Sequence, residues 1–213
     1  MLLASRNAKK LAEMHRILGA HLPDLEVIGL DDVPPYDEPV EDQPTFEGNA
    51  LLKARAGLAA TGLPTLADDS GLCVDALNGM PGVLSARWSG TPKSDDPSST
   101  LVPRDPRDHR NNQLLLEQLA DVPDDRRTAH FTCSVAFCHP DGTELVVEGT
   151  MPGRIIREQR GDNGFGYDVV FVADETGPPE RTTAELPSDE KDAISHRGRA
   201  LRKIAPLVAA AMR

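Results

Sequence analysis

Aromatic residues are scarce in this chain: one Trp, two Tyr and five Phe among 213 residues. Any place where two of them fall together therefore carries information. Cysteine is rarer still, with only Cys73, Cys133 and Cys138. The number is odd and there is no Cys-x-x-Cys pair, so neither a disulfide framework nor a structural zinc knot is encoded. The expectation is reduced, partly buried thiols in a cytoplasmic protein. No stretch approaches the ~20 apolar residues of a membrane span. The apolar start Met1-Leu2-Leu3-Ala4 is too short for a signal peptide. Bases are outnumbered, 23 Lys and Arg against 34 Asp and Glu, for a net charge of -11. Such a chain is a poor partner for DNA or RNA, where phosphate neutralisation supplies most of the affinity. A small anion stays within reach if a cation and a few local bases offset the field. There are no internal repeats, no clear domain boundary and no Walker-type glycine loop.

What remains is a globular composition, 39% hydrophobic and 27% charged. The length suits one domain over residues 1–213, or two lobes sharing a sheet. Met1–Ser5 reads as a short buried strand. Leu11, Met14, Ile17 and Leu18 give Ala8–Ala20 helical spacing. Leu25–Leu30 reads as a second strand, and the acidic, proline-rich run Asp31–Pro44 as an exposed loop. Phe46–Ala60 is a helix ending near Gly62-Leu63-Pro64. Residues 91–111 are polar and proline-rich, and a flexible insertion is expected there. A helix over Asn112–Leu119 follows. Thr128–Cys138 alternates as a strand, Asp141-Gly142 marks a hairpin turn, and Leu145–Thr150 returns. Arg154–Arg157 extends the sheet, and Val169–Val172 is a short buried strand. Ser188–Ile194 reads as a short helical turn, and a final helix that contains Pro206 runs from Ser195 toward Met212. This order predicts an α/β fold with a mixed sheet.

Chemistry concentrates at four places. Leu66-Ala67-Asp68-Asp69-Ser70-Gly71 sets two carboxylates at an expected strand end, where a divalent cation can compensate them. The same residues also suit a solvated turn. Ser5-Arg6-Asn7-Ala8-Lys9-Lys10 joins a strand to a helix N-terminus, which suits a phosphate, although Asn7 can equally be a simple cap. In Phe46–Ala54, Asn49 and Lys53 are four apart and share a helix face. Glu41, in the loop before it, is either an ordinary acid or can swing in to complete an oxygen set for Mg²⁺. Gly161-Asp162-Asn163-Gly164-Phe165-Gly166-Tyr167-Asp168 brackets two of the rare aromatics with glycines, as for close approach to a nucleobase or for a plain bulge. Lys191 and Ser195-His196-Arg197 form a last basic set. Cations in the first turn of a helix run against its dipole, which suggests an anion or a base-edge acceptor nearby, or else a solvated basic face.

In order along nearly the whole chain, these motifs resemble one family, the inosine triphosphate or non-canonical purine NTP pyrophosphatases. The stretches that carry the likeness are Ala4–Lys10, Thr45–Ala54, Ala67–Leu72, Gly79-Met80-Pro81-Gly82 with Ser85-Ala86-Arg87, Gly164–Asp168, and Ala184-Glu185-Leu186 through Glu190-Lys191 to Arg197. The resemblance implies an elongated two-lobed α/β fold, with a long mixed β-sheet flanked by helices and an active-site cleft between lobes. It implies a homodimer and Mg²⁺-dependent hydrolysis of ITP, dITP and XTP to the monophosphate and pyrophosphate, cleansing the nucleotide pool. By position, Ser5, Arg6, Asn7, Ala8, Lys9, Lys10 and Lys53 would hold the triphosphate. Asp69 would be general base and metal ligand, with Glu41 and Asp68 close to the metal. Ser70, Phe165, Gly166, Tyr167, Asp168, Lys191, His196 and Arg197 would contact the nucleotide. No nucleic-acid or membrane partner is implied.

Two positions depart from the family pattern: Arg6 stands where glycine is usual, and Val169 where proline is usual. Two rival functions fit the same residues. One is a pyrophosphatase for other modified nucleotides, and the other is a sensor that binds nucleotides without hydrolysing them. Asp68, Asp69 and Lys53 together favour catalysis.

Overall fold

Strand β1 is Leu2–Leu3, and helix α1 is Ala8–Gly19. Helix α2 is Phe46–Thr61 and strand β2 is Thr65–Val74. Helix α3 is Pro106–Gln118, strand β3 is Thr128–Cys138, strand β4 is Glu144–Ile155 and strand β5 is Phe171–Ala173. Helices α4, Ser188–Ile194, and α5, His196–Ala211, complete the chain. These elements belong to a computed structural model, which describes residues 1–6, 8–19, 26–90 and 106–212. The five strands form one sheet in the order β1-β2-β3-β4-β5. β1 runs parallel to β2, with Leu2 opposite Thr65, and β5 runs antiparallel to β4, with Phe171 opposite Ile155. The sheet is thus mixed, as the sequence predicts.

The chain divides into two compact units. The first comprises Met1–Ser70, Thr132–Thr150 and Ser195–Arg213, and the second Gly71–Phe131 and Met151–Ile194. In the first, Leu3, Leu66, Val135 and Phe137 of the sheet bury against Met14 and Leu18 of α1 and Leu201, Ile204 and Val208 of α5. Each such side chain removed from water contributes about 1.5–3 kcal/mol. α2 packs through small residues, with Ala50, Ala54 and Gly57 all buried. A Cβ on Gly57 would lie 2.8 Å from Thr65 Cγ2 and 3.1 Å from Leu2 Cδ2, so only glycine lets the helix approach the strands this closely. Thr45 caps α2 by accepting the Gly48 N–H at 3.1 Å.

The second unit centres on Leu115, Phe131, Met151, Tyr167 and Phe171, with the Phe131 and Phe171 rings edge to face at 4.8 Å. Arg127 is buried there. Its guanidinium donates to the carbonyls of Leu119, Ile155 and Ile156, so a charged group ties the segment after α3 to the end of β4.

Several expectations shift. The segment expected as a strand over Leu25–Leu30 makes one isolated parallel bridge, Leu2 to Ile28, and residues 20–25 lie outside the described set. β5 starts at Phe171, because a helical turn over Gly166–Val169 uses the residues before it. α3 begins at Pro106 rather than Asn112, so residues 106–111 belong to a helix, while residues 91–105 lie outside the described set. Proline at a helix start costs nothing, because its missing N–H would be unpaired there anyway. Cys73, Cys133 and Cys138 form no disulfide. No helix among the described residues is long and apolar enough to cross a membrane.

Candidate active site

The acid pair sits not at a strand end but in the middle of β2, which runs on through Ser70 and Gly71 to Val74. Asp68 and Asp69 are 2% and 8% exposed, which rules out the solvated turn. Successive side chains of a strand point to opposite faces. The two neighbours accordingly hold different partners.

Asp69 meets α2. Its Oδ2 accepts from Asn49 Nδ2 at 2.9 Å and its Oδ1 from its neighbour's Ser70 N–H at 3.0 Å, while Lys53 Nζ lies 3.9 Å from Oδ1. Asn49 is fully buried, and its own Oδ1 accepts the Gln43 N–H at 3.0 Å. That bond fixes the amide orientation, so the NH₂ group is the end that faces Asp69. Lys53 Nζ also donates to Glu41 Oε1 at 2.7 Å. Burial lowers the proton affinity of Lys53, but the negative charges of Asp68, Asp69 and Glu41 outweigh it and the net direction is upward. Lys53 is therefore a fixed cation at any physiological pH.

Asp68 meets α5 instead. Its Oδ2 lies 3.2 Å from Arg197 Nε, with both side chains nearly inaccessible, and the Cys133 thiol is 3.9 Å from the same oxygen. Arg197 Nη2 donates to Ser70 Oγ at 3.1 Å. α5 starts where expected: Ser195 is its N-cap, accepting the Gly198 N–H at 2.9 Å, and His196 and Arg197 open its first turn. The cation that runs against the helix dipole is thus compensated by a buried carboxylate.

The glycine and aromatic loop forms a second cluster, in the second unit. Asp168 Oδ2 accepts from Lys191 Nζ and from the Phe165 N–H, and Asp168 Oδ1 accepts from the Thr183 hydroxyl at 2.8 Å. Lys191 Nζ stands 5.2 Å from the centre of the Phe165 ring. The Gly166 N–H is taken by Asp108 Oδ2 at 2.6 Å. Tyr167 is buried, which pushes its phenol well above the ordinary range with Asp108 adding to the effect, and its hydroxyl donates to Ser85 O at 2.9 Å. Gly164 has φ +73, and a side chain there would run into Asp168 Oδ2.

The first motif is only partly described. Ser5 donates its N–H to Leu3 O. Arg6, at the position where glycine is usual, turns to the acidic loop, with Nε to Glu38 at 2.5 Å and Nη1 to Asp31 at 3.2 Å. Asn7 lies outside the described residues, and Ala8, Lys9 and Lys10 open α1 with side chains that are likewise outside the description.

Residues absent from the sequence-derived site set also enter. Asn49 was visible as the i−4 companion of Lys53, on the same helix face. Cys133, Thr183 and Asp108 carried no local signal, since each arrives from an element distant in sequence.

Among the described residues no three His, Cys, Asp or Glu side chains form a ready-made metal cage. The oxygen chemistry of Asp69 and Glu41 nevertheless suits Mg²⁺, which is commonly held by one or two carboxylates plus substrate phosphates. Buried carboxylates beside fixed cations, in an α/β protein, define the chemistry of a class that handles phosphorylated substrates. More narrowly, the chain belongs to the Ham1 family, whose model matches residues 1–207. It is 57% identical over 211 residues to a dITP/XTP pyrophosphatase of Nocardia farcinica, covering 99% of this chain and 95% of the relative. A crystal structure of a nucleoside-triphosphatase, or dITP/XTP pyrophosphatase, from Mycobacterium abscessus aligns with TM-score 0.74 at 52% identity, covering 96% of this chain and 98% of that one. The Ham1 protein of Staphylococcus aureus aligns with TM-score 0.81 at 35% identity, covering 98% and 97%.

Proposed function

We infer that this protein hydrolyses non-standard purine nucleoside triphosphates, namely ITP, dITP and XTP, to the monophosphate and pyrophosphate. The observation that carries the reading is the buried Asp69, oriented by Asn49 and set beside Lys53 and Glu41. The kinship to dITP/XTP pyrophosphatases supports the same substrate class. Ser5, Arg6, Asn7, Ala8, Lys9, Lys10 and Lys53 hold the triphosphate. Water adds across the α–β anhydride, Asp69 takes its proton, and the α–β bridging oxygen leaves with the pyrophosphate. Lys53, held positive by its three acidic neighbours, offsets charge on the phosphates. Asp69 and Glu41, with Asp68 close by, would hold Mg²⁺. When bound, the ion neutralises phosphate oxygens that an acidic protein would otherwise repel.

Base choice follows from polarity. Lys191 offers a donor and Asp168 an acceptor in direct contact. Hypoxanthine and xanthine present a 6-oxo acceptor beside an N1–H donor, which matches. Adenine presents an amino donor beside a bare N1, so both contacts become like-to-like and its polar groups stay unpaired. Phe165 supplies the stacking ring, and Ser70, Gly166, Tyr167, His196 and Arg197 complete the nucleotide contacts. We further propose that the protein works as a cytoplasmic homodimer, without nucleic-acid or membrane partners.

The deciding experiment is to supply dITP, XTP, dATP and dGTP with Mg²⁺ and identify products by phosphorus NMR. Pyrophosphate from dITP and XTP is expected. Orthophosphate instead would defeat the reading, and tight binding with no product would favour a sensor. A second expectation concerns Gly164→Ala. Its strained φ and the clash with Asp168 should cost ~1–2 kcal/mol of stability. It should also displace the Asp168–Lys191 pair, raising KM for dITP severalfold while kcat changes less. An unchanged KM would detach this loop from base binding.

A further inference from the structure

The glycine and aromatic loop is held from outside as well as by its own Phe165–Asp168 bond. Both polar groups of Gly166 are taken by α3: Asp108 Oδ2 accepts its N–H at 2.6 Å, and Asn112 Nδ2 donates to its carbonyl at 2.9 Å. Gly166 has φ +59 with nothing near a would-be Cβ, so its conformation, not crowding, requires glycine. Asn112 is 1% exposed, and its NH₂ group also donates to Asp108 O at 2.7 Å, which fixes the amide orientation between two carbonyls. The preceding residue, Asn111, faces the turn over Gly82–Arg87. Its Nδ2 donates to Ser85 O at 3.3 Å, and its Oδ1 accepts the Ser89 N–H at 2.8 Å. Tyr167 closes the circuit by donating to the same Ser85 carbonyl. Three segments far apart in sequence are thus joined by buried and half-buried, oriented hydrogen bonds.

We propose that α3 sets base selectivity from outside the base site, Asp108 and Asn112 acting as positioning residues that clamp Gly166 and Asn111 anchoring the turn that Tyr167 grips. This rests on the proposed role of Phe165–Asp168 in base contact. Gly166 lies between the Phe165 ring and Asp168, the acceptor paired with Lys191. A loop free to pivot at Gly166 therefore moves the stacking surface and the acceptor together. An acid in the first turn of a helix is favoured by the dipole wherever it points. What singles out Asp108 is that its carboxylate reaches a backbone N–H 58 residues away in the chain.

The test compares kcat/KM for dITP and dATP in the full-length chain with Mg²⁺. Asp108→Ala removes the acceptor and should lower the dITP preference about tenfold, chiefly by raising KM for dITP, as expected for the loss of one charge-assisted hydrogen bond. Asp108→Asn keeps an acceptor oxygen and should retain most of the preference. Asn112→Asp is isosteric but cannot donate to either carbonyl, and should behave like Asp108→Ala. Asn111→Ala, which leaves the Gly166 clamp in place, is the second variant should Asn112→Asp not fold, with a smaller loss in the same direction. A fall in thermal midpoint with kcat/KM reduced equally for both substrates would reduce α3 to a scaffold and overturn the proposal. A loss in Asp108→Asn as large as in Asp108→Ala would overturn it too. Wild-type protein that shows no preference for dITP defeats the functional reading before any variant is measured. A selective wild type with an unchanged Asp108→Ala ratio defeats only the clamp.

Discussion

Asp69→Asn should keep the fold and lower kcat by about 10²–10⁴-fold, the range expected when a general base is removed. The side chain is isosteric, and its oxygen can still accept from Asn49 Nδ2, the 2.9 Å bond that orients the wild-type carboxylate. Its NH₂ group then faces the Ser70 N–H, where Oδ1 accepts in the wild type. One local hydrogen bond is exchanged for a donor–donor contact, a cost of about 1 kcal/mol. That is too little to unfold a chain of this size. Two things are lost that the fold does not need: the proton-accepting oxygen and one of the negative charges that raise Lys53. Circular dichroism and thermal midpoints check the first half of this expectation, and single-turnover hydrolysis of dITP checks the second. Full turnover in Asp69→Asn would take the base role away from this residue. Asn49→Leu sharpens the result. It leaves the Asp69 carboxylate in place but unaligned, so a smaller loss of kcat is expected.

The elements most readable in the sequence were those with a local cause. β3 matches its predicted bounds because its alternating residues are apolar and, from Phe131 to Cys138, the intervening ones are small, so every side chain in that run is buried. α2 and α5 start at their Thr45 and Ser195 caps, where side-chain chemistry acts over three residues. β2 was misjudged because Asp, Ser and Gly are turn formers by local propensity, and only tertiary partners make a buried strand of them. Those partners, Lys53 on one side and Arg197 on the other, come from helices 16 and 128 residues from Asp69. Arg6 illustrates the same limit. No local pattern showed where it turns, its guanidinium meeting Glu38 and Asp31 of the loop that also supplies Glu41. The clamp on Gly166 was out of reach because a proline-rich run conceals that a helix has already begun at Pro106.

Arg197→Met should be the most destabilising single change in the site. Arg197 and Asp68 are 4% and 2% exposed at the side chain, and their contact is 3.2 Å. Deleting one partner of a buried pair leaves the other charge without its compensation, at a cost of about 3–5 kcal/mol. For a chain of this length that lowers the thermal midpoint by about 10 °C. The cost belongs mainly to the stranded carboxylate rather than to the attraction itself. Asp68→Leu combined with Arg197→Met should therefore regain most of the lost stability, and a double-mutant cycle measures the coupling. Activity separates what stability cannot. If Arg197 also contacts the nucleotide, the double variant refolds but keeps a raised KM for dITP. Should KM recover along with the midpoint, Arg197 serves only to neutralise Asp68, and base recognition falls to Lys191, Asp168 and the loop that α3 holds.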